Sequence, residues 1–118
     1  MSEFVAACRI DEIAIGTAKR VMVESVPIAV VRTAEGVFAI KDVCSHADVE
    51  LSEGEVEGCT IECWLHGSAF DLKTGAPLSL PAIRAVPIYE VRVVGDGSDA
   101  VIEVATQPIN VSTPIDSH

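Results

Sequence analysis

Basic residues are few in this sequence: 8 Lys and Arg stand against 18 Asp and Glu, for a formal net charge of −10. With an isoelectric point near 4.5, the surface argues against nucleic acid and anionic membranes as partners. It favours a soluble protein that meets basic ones. Long apolar runs are also missing, and no stretch approaches the roughly 18 consecutive apolar residues of a membrane-spanning helix. The start, Met1-Ser2-Glu3 followed by Phe4-Val5-Ala6-Ala7, has no basic leader region. No signal peptide is therefore expected, and the protein reads as cytoplasmic. Four cysteines in a cytoplasmic chain read as ligands or plain thiols, not as a disulfide framework. There is no internal repeat and no low-complexity segment. The 49% of hydrophobic residues is too high a share for disorder, and 118 residues suit one domain with one core.

Short runs rich in Val and Ile alternate with turn residues, which is the pattern of an all-β domain. The candidate strands are Phe4–Cys8, Lys19–Ser25, Ile28–Thr33, Val37–Lys41, Val86–Val94 and Ala100–Ala105. Ala34-Glu35-Gly36 and Gly95-Asp96-Gly97-Ser98 are turn signals between strands. In the last hairpin Tyr89, Val91 and Val93 alternate with Ile88, Glu90 and Arg92, as in a half-buried strand. Asp11-Glu12-Ile13 has room for one helical turn. Thr106 to His118 carries two prolines and no periodicity, and reads as a surface tail after a domain over 1–105. Asp42 to Gly75 does not read as a simple sheet; it looks like a loop-rich insertion, a usual place for function.

Two clusters in that insertion carry chemistry: Cys44-Ser45-His46 and Cys63-Trp64-Leu65-His66. Together they spell C-x-H, sixteen residues, then C-x2-H. One zinc ion would accept two thiolates and two imidazoles in a tetrahedron. A [2Fe–2S] cluster would accept both Cys on one iron and both His on the other. Each loop supplies one ligand of each type, which suits a binuclear centre straddled by both loops. Zinc knuckles more often pair like with like inside a loop. The spacing favours the cluster and leaves zinc open.

The run from Cys44-Ser45-His46-Ala47 to Glu62-Cys63-Trp64-Leu65-His66-Gly67-Ser68-Ala69-Phe70-Asp71 resembles the Rieske [2Fe–2S] signature. Over about residues 3 to 105 the chain resembles the Rieske-type ferredoxins of bacterial ring-hydroxylating dioxygenase systems. The resemblance implies an antiparallel β-sandwich or barrel-like base with a small cluster-binding subdomain at about 42–82. It implies one [2Fe–2S] cluster, with Cys44 and Cys63 on the inner iron and His46 and His66 on the outer iron nearer solvent. Respiratory Rieske proteins add a disulfide between the two loops; Val49 and Leu65 occupy those positions here and cannot form one. Ser68 stands where high-potential members donate a hydrogen bond to the cluster sulfurs, and Phe70 where they have a donating Tyr. One donor kept and one lost implies a potential toward the lower part of the range of roughly −150 to +300 mV. With neutral imidazoles the oxidised site sums to zero charge, so reduction makes it −1 and raises the histidine pKa values. The potential is therefore expected to fall with pH above the oxidised-state histidine pKa.

Around the ligands, Gly67 and Gly75 read first as turn glycines, the functional alternative being that Gly67 lets backbone amides approach a sulfide, and Trp64 is either core packing or a shield for the cluster. Leu80-Pro81-Ala82 falls where the family places a proline loop over the cluster, although many relatives have Gly before Pro81. Cys8 and Cys59 do not fit the ligand spacing and read as buried free thiols, and His118 as a tail residue unrelated to the metal. Asp42, Asp48, Glu50, Glu53, Glu55, Glu57 and Glu62 occupy 42–62 with no Lys or Arg among them. They form either a solvated surface or a docking face near the cluster.

The functional expectation is a monomeric one-electron carrier, not an enzyme. It would take electrons from a flavin-containing, nicotinamide-dependent ferredoxin reductase and pass them to a terminal oxygenase. Two alternatives stay open: a Rieske protein tied to iron–sulfur assembly or to another reductase as its small subunit, and a structural zinc module.

Overall fold

The computed structural model describes residues 3–43, 50–63, 69–78 and 85–109. Among these are nine strands: β1 (Phe4–Arg9), β2 (Thr17–Val23), β3 (Val26–Thr33), β4 (Gly36–Lys41), β5 (Glu55–Glu57), β6 (Thr60–Glu62), β7 (Ala69–Asp71), β8 (Ile88–Val94) and β9 (Val101–Pro108). Three single 3-10 turns, at Ile10–Glu12, Leu51–Glu53 and Gly97–Asp99, complete the regular structure. The fold is all-β, as expected. A six-stranded antiparallel sheet runs in the order β1-β9-β8-β4-β3-β2, and a three-stranded sheet in the order β5-β6-β7.

All six expected strands are present, with shifted ends. The strand expected to reach Ser25 stops at Val23, because Glu24 and Ser25 (φ 50° and 72°) form the two-residue turn into β3. Both central residues are left-handed, as a type I′ hairpin requires, yet neither is the Gly or Asn that would announce it. The strand expected from Val86 begins at Ile88. Val86 donates its N–H to the carbonyl of Gly75 at 2.9 Å instead. The last strand runs three residues beyond Ala105 to Pro108. Thr106 N–H bonds the Glu3 carbonyl and Ile109 N–H the Ile88 carbonyl, so the first part of the segment read as a tail is tied into the sheet. The outer half of the β8 hairpin also departs from the half-buried expectation. Val93 and Val94 are both exposed there.

β3 organises the interior. Its residues 28–31 are buried in succession and face two cores. Ile28 and Val30 pack inside the curl of the large sheet with Cys8, Ile13, Val23, Ala39, Tyr89, Ile102 and Val104. Ala29 and Val31 face the other way and join Ile40, Leu51, Ile61, Cys63, Phe70, Leu72, Val86 and Ile88. An unbroken apolar run is what a strand covered on both faces demands. The second core seats the small sheet on the large one, at roughly 1.5–3 kcal/mol for each large apolar side chain fully buried.

The insertion is therefore less irregular than its sequence suggests. Glu55-Val56-Glu57, Thr60-Ile61-Glu62 and Ala69-Phe70-Asp71 are three short strands, with Val56 paired to Ile61 and Ile61 to Phe70 along their centre. At three residues each they carry one full alternation at most, too little for a period to register.

Candidate functional site

One end of the small sheet collects the flanks of every segment the sequence marks for chemistry. Glu55 pairs with Glu62, and Glu62 with Ala69. Leu78 N–H donates to the Ala69 carbonyl at 2.7 Å. These four residues form a row. Cys63 follows Glu62 directly, and the chain of the second motif re-enters the sheet at Ala69.

Asp42 and Ser52, described residues on either side of the first motif in sequence, meet at a carboxylate. Asp42, just after β4, is fully buried. Its Oδ1 accepts the Ser52 N–H at 2.6 Å, and its Oδ2 accepts the Ser52 hydroxyl at 2.6 Å and Arg20 Nη1 at 3.2 Å. The same Arg20 nitrogen lies 3.3 Å from Glu50 Oε2. The chain thus leaves at Asp42 and returns to it ten residues later, with C-x-H in between. Two residues further on, Gly54 lies against β6. A Cβ at Gly54 would fall 1.6 Å from the Glu62 carbonyl oxygen. Its φ of −87° is ordinary, so the requirement for glycine is space, not backbone conformation. This contact lays the return of the first segment against the strand that leads to Cys63.

Cys63 is a free thiol, fully buried at the edge of the second core, where a soft ligand would sit shielded from water. Phe70 is also fully buried in that core. Cys44, His46, His66, Trp64, Gly67, Ser68 and Pro81 lie outside the described residues, as do Val49, Leu65, Leu80 and His118. Among the described residues no three Cys, His, Asp or Glu side chains gather into a metal site. Of the proposed donors, the described residues thus place only Cys63. Two thiolates and two imidazoles still suit a [2Fe–2S] centre better than one hard cation, because sulfur is a soft donor.

Among the described residues the other two thiols, Cys8 and Cys59, are free, and of the two only Cys8 is buried. Burial, and then the charge of Glu12, push the Cys8 thiol above its ordinary pKa of 9.0. Cys59 is half-buried, contrary to expectation, and lies in the turn at the opposite end of the small sheet from the motif row. There Lys73 Nζ meets Glu35 Oε1 at 2.9 Å and ties that end to the β3–β4 turn. The Lys73 hydrogen bond holds the Glu35 carboxyl below its usual range.

The acidic segment also divides. Asp42 is an internal tether and Glu50 is paired to Arg20, whereas Glu53, Glu55, Glu57 and Glu62 are exposed. Glu55 and Glu62 stand directly opposite each other across β5 and β6. Sequence reading missed Arg20, Ser52 and Gly54 and took Asp42 for surface. Nothing in a lone Asp marks it as buried, or in a lone Gly as closely packed, until the packing is known.

Comparison with known proteins gives these features their setting. The family model of the Rieske [2Fe–2S] domain matches residues 3–90. The anthranilate 1,2-dioxygenase ferredoxin subunit of Burkholderia cepacia is 46% identical over 68 residues, 58% of this chain and 63% of that one, just under two thirds of the relative. Ferredoxin CarAc of Metapseudomonas resinovorans is 37% identical over 91 residues, 76% of this chain and 85% of its own. A chain in the solved complex of reduced oxygenase and oxidized ferredoxin in carbazole 1,9a-dioxygenase superposes with a TM-score of 0.80 at 34% identity. It covers 90% of this chain and 95% of that one. The C-x-H and C-x2-H pair, the buried thiol after β6 and these matches converge: the chain belongs to the Rieske [2Fe–2S] family, and its relatives are ferredoxin components of dioxygenase systems.

Proposed function

We propose that Cys44 and Cys63 hold one iron, and His46 and His66 the other, of a [2Fe–2S] cluster at the motif end of the small sheet. On this reading the protein accepts single electrons from a flavin-containing, NAD(P)H-dependent ferredoxin reductase. It delivers them to a terminal oxygenase that hydroxylates an aromatic ring. The observation that carries the reading is the buried free thiol of Cys63, set directly beyond a row of paired residues that also anchors the other motif flanks. The bound cluster supplies one-electron chemistry; the chain contributes a shielded thiol and a charged surface. Ser68, Gly67, Trp64 and Pro81 are assigned to the surroundings of the cluster, where they tune it. The carbazole ferredoxin, solved in complex with its oxygenase, supports the oxygenase end of the path. No helix among the described residues is long and apolar enough to cross a membrane. We assign the protein to the cytoplasm, as a monomer.

The exposed glutamates Glu55 and Glu62 give the cluster end a negative rim, and Leu78, 54% exposed, adds an apolar contact beside them. Such a rim steers basic partners and releases them quickly.

EPR of the dithionite-reduced protein, with iron and sulfide counted, tests the assignment. A rhombic signal from two irons and two sulfides is expected, and its loss in Cys63→Ser and in His66→Ala. A colourless protein with one zinc ion, or a signal that persists in both variants, overturns it.

A further inference from the structure

The Asp42 carboxylate is costly to bury and is nevertheless retained. An ionised group taken out of water loses several kcal/mol unless hydrogen bonds and a counter-charge replace its hydration. Asp42 has both: two contacts from Ser52 and one from Arg20. Structural need alone explains little, because buried ion pairs are often replaced by apolar residues without loss. The position is more informative. Asp42 and Ser52 are the two ends of the excursion that carries Cys44 and His46, and Arg20 belongs to β2 of the large sheet. The carboxylate thus joins both ends of the first ligand segment to the large sheet. Gly54, beyond Ser52, lies against the strand that leads to Cys63. Cys44 follows Asp42 by only two residues, at most about 7 Å of extended chain.

The geometry points to Asp42, held by Arg20 and Ser52, as a positioning residue for the first ligand pair and, through its charge, a determinant of the cluster potential. This rests on the proposed ligand set. A negative charge near the centre opposes the added electron and a positive one favours it.

The test uses the cluster-bearing protein, the three single variants Asp42→Asn, Arg20→Gln and Ser52→Ala and the double variant Asp42→Asn with Arg20→Gln, and Lys73→Gln at the far end of the small sheet as a control. Chelator-driven loss of visible absorbance is expected to be at least tenfold faster in Asp42→Asn and severalfold faster in Ser52→Ala, but unchanged in Lys73→Gln. The midpoint potential is expected to rise in Asp42→Asn, fall in Arg20→Gln and return near the parent value in the double variant, which restores the pair's net charge. A merely structural role would move both single variants in one direction. Parental bleaching rates in all three variants, or potential shifts of the same sign in Asp42→Asn and Arg20→Gln, overturn the proposal. If Asp42→Asn does not fold, Arg20→Gln and Ser52→Ala decide: parental potential in the first together with parental bleaching in the second overturns it. A parent protein without the cluster would instead break the ligand set on which the proposal rests.

Discussion

At the scale of single residues, the site depends on contacts that tolerate no added atom. Gly54→Ala would drive a methyl group into the Glu62 carbonyl. Relief requires moving the strand that leads to Cys63, at about 1–3 kcal/mol by the usual cost of overpacking. A lower thermal midpoint and a reduced iron content in the purified variant are expected, read by calorimetry and metal analysis. Buried ionisable groups give a second expectation. Burial raises the pKa of both Cys8 and Tyr89 in the folded state. Their protonated forms are favoured by folding, so the unfolded chain releases these protons first as pH rises. The contribution of each group to stability is intact below its unfolded pKa and is lost as pH climbs through the folded value. Denaturation midpoints measured upward from pH 9 should fall less steeply in Cys8→Ala and in Tyr89→Phe than in the parent. The candidate motifs stand out in the sequence because C-x-H and C-x2-H are local patterns. Asp42 and Gly54 do not, because their roles arise from partners ten and eight residues away.

Among the elements, the long strands announced themselves and the short ones did not. The run Ile28-Ala29-Val30-Val31 is legible as a strand because two cores require apolar side chains on both of its faces. The β2–β3 hairpin end was misjudged because Glu24 and Ser25 adopt left-handed backbone without the residues that favour it. Replacing them by Asn-Gly should relieve about 1–2 kcal/mol and raise the thermal midpoint by several degrees. An unchanged midpoint would show that the present turn is unstrained. β5 and β6 carry a different cost. Glu55 faces Glu62 across the pair, and like charges so placed destabilise a sheet. Glu55→Gln should stabilise the protein by about 0.2–1 kcal/mol in denaturant titrations. If the negative rim serves docking, the same variant should accept electrons from the reductase more slowly at low salt.

For the whole molecule, the net charge of −10 turns that rim into a long-range field. Electron transfer from a basic partner surface should slow as ionic strength rises, since screening shortens the reach of the field to about 8 Å at physiological salt. Stopped-flow rates that ignore salt would leave the acids as solubilising surface only. The overall architecture was legible from alternating apolar runs and turns, whereas the small sheet emerged only once three brief strands were seen to share one core. That sharing limits how the parts can be recombined. The floor beneath Cys63 and Phe70 is made by Ala29, Val31 and Ile40, which belong to the larger sheet. Grafting residues 42–82 onto a foreign scaffold would strip the metal-binding end of its foundation, so a transplantable unit must carry β3 and β4 along with it.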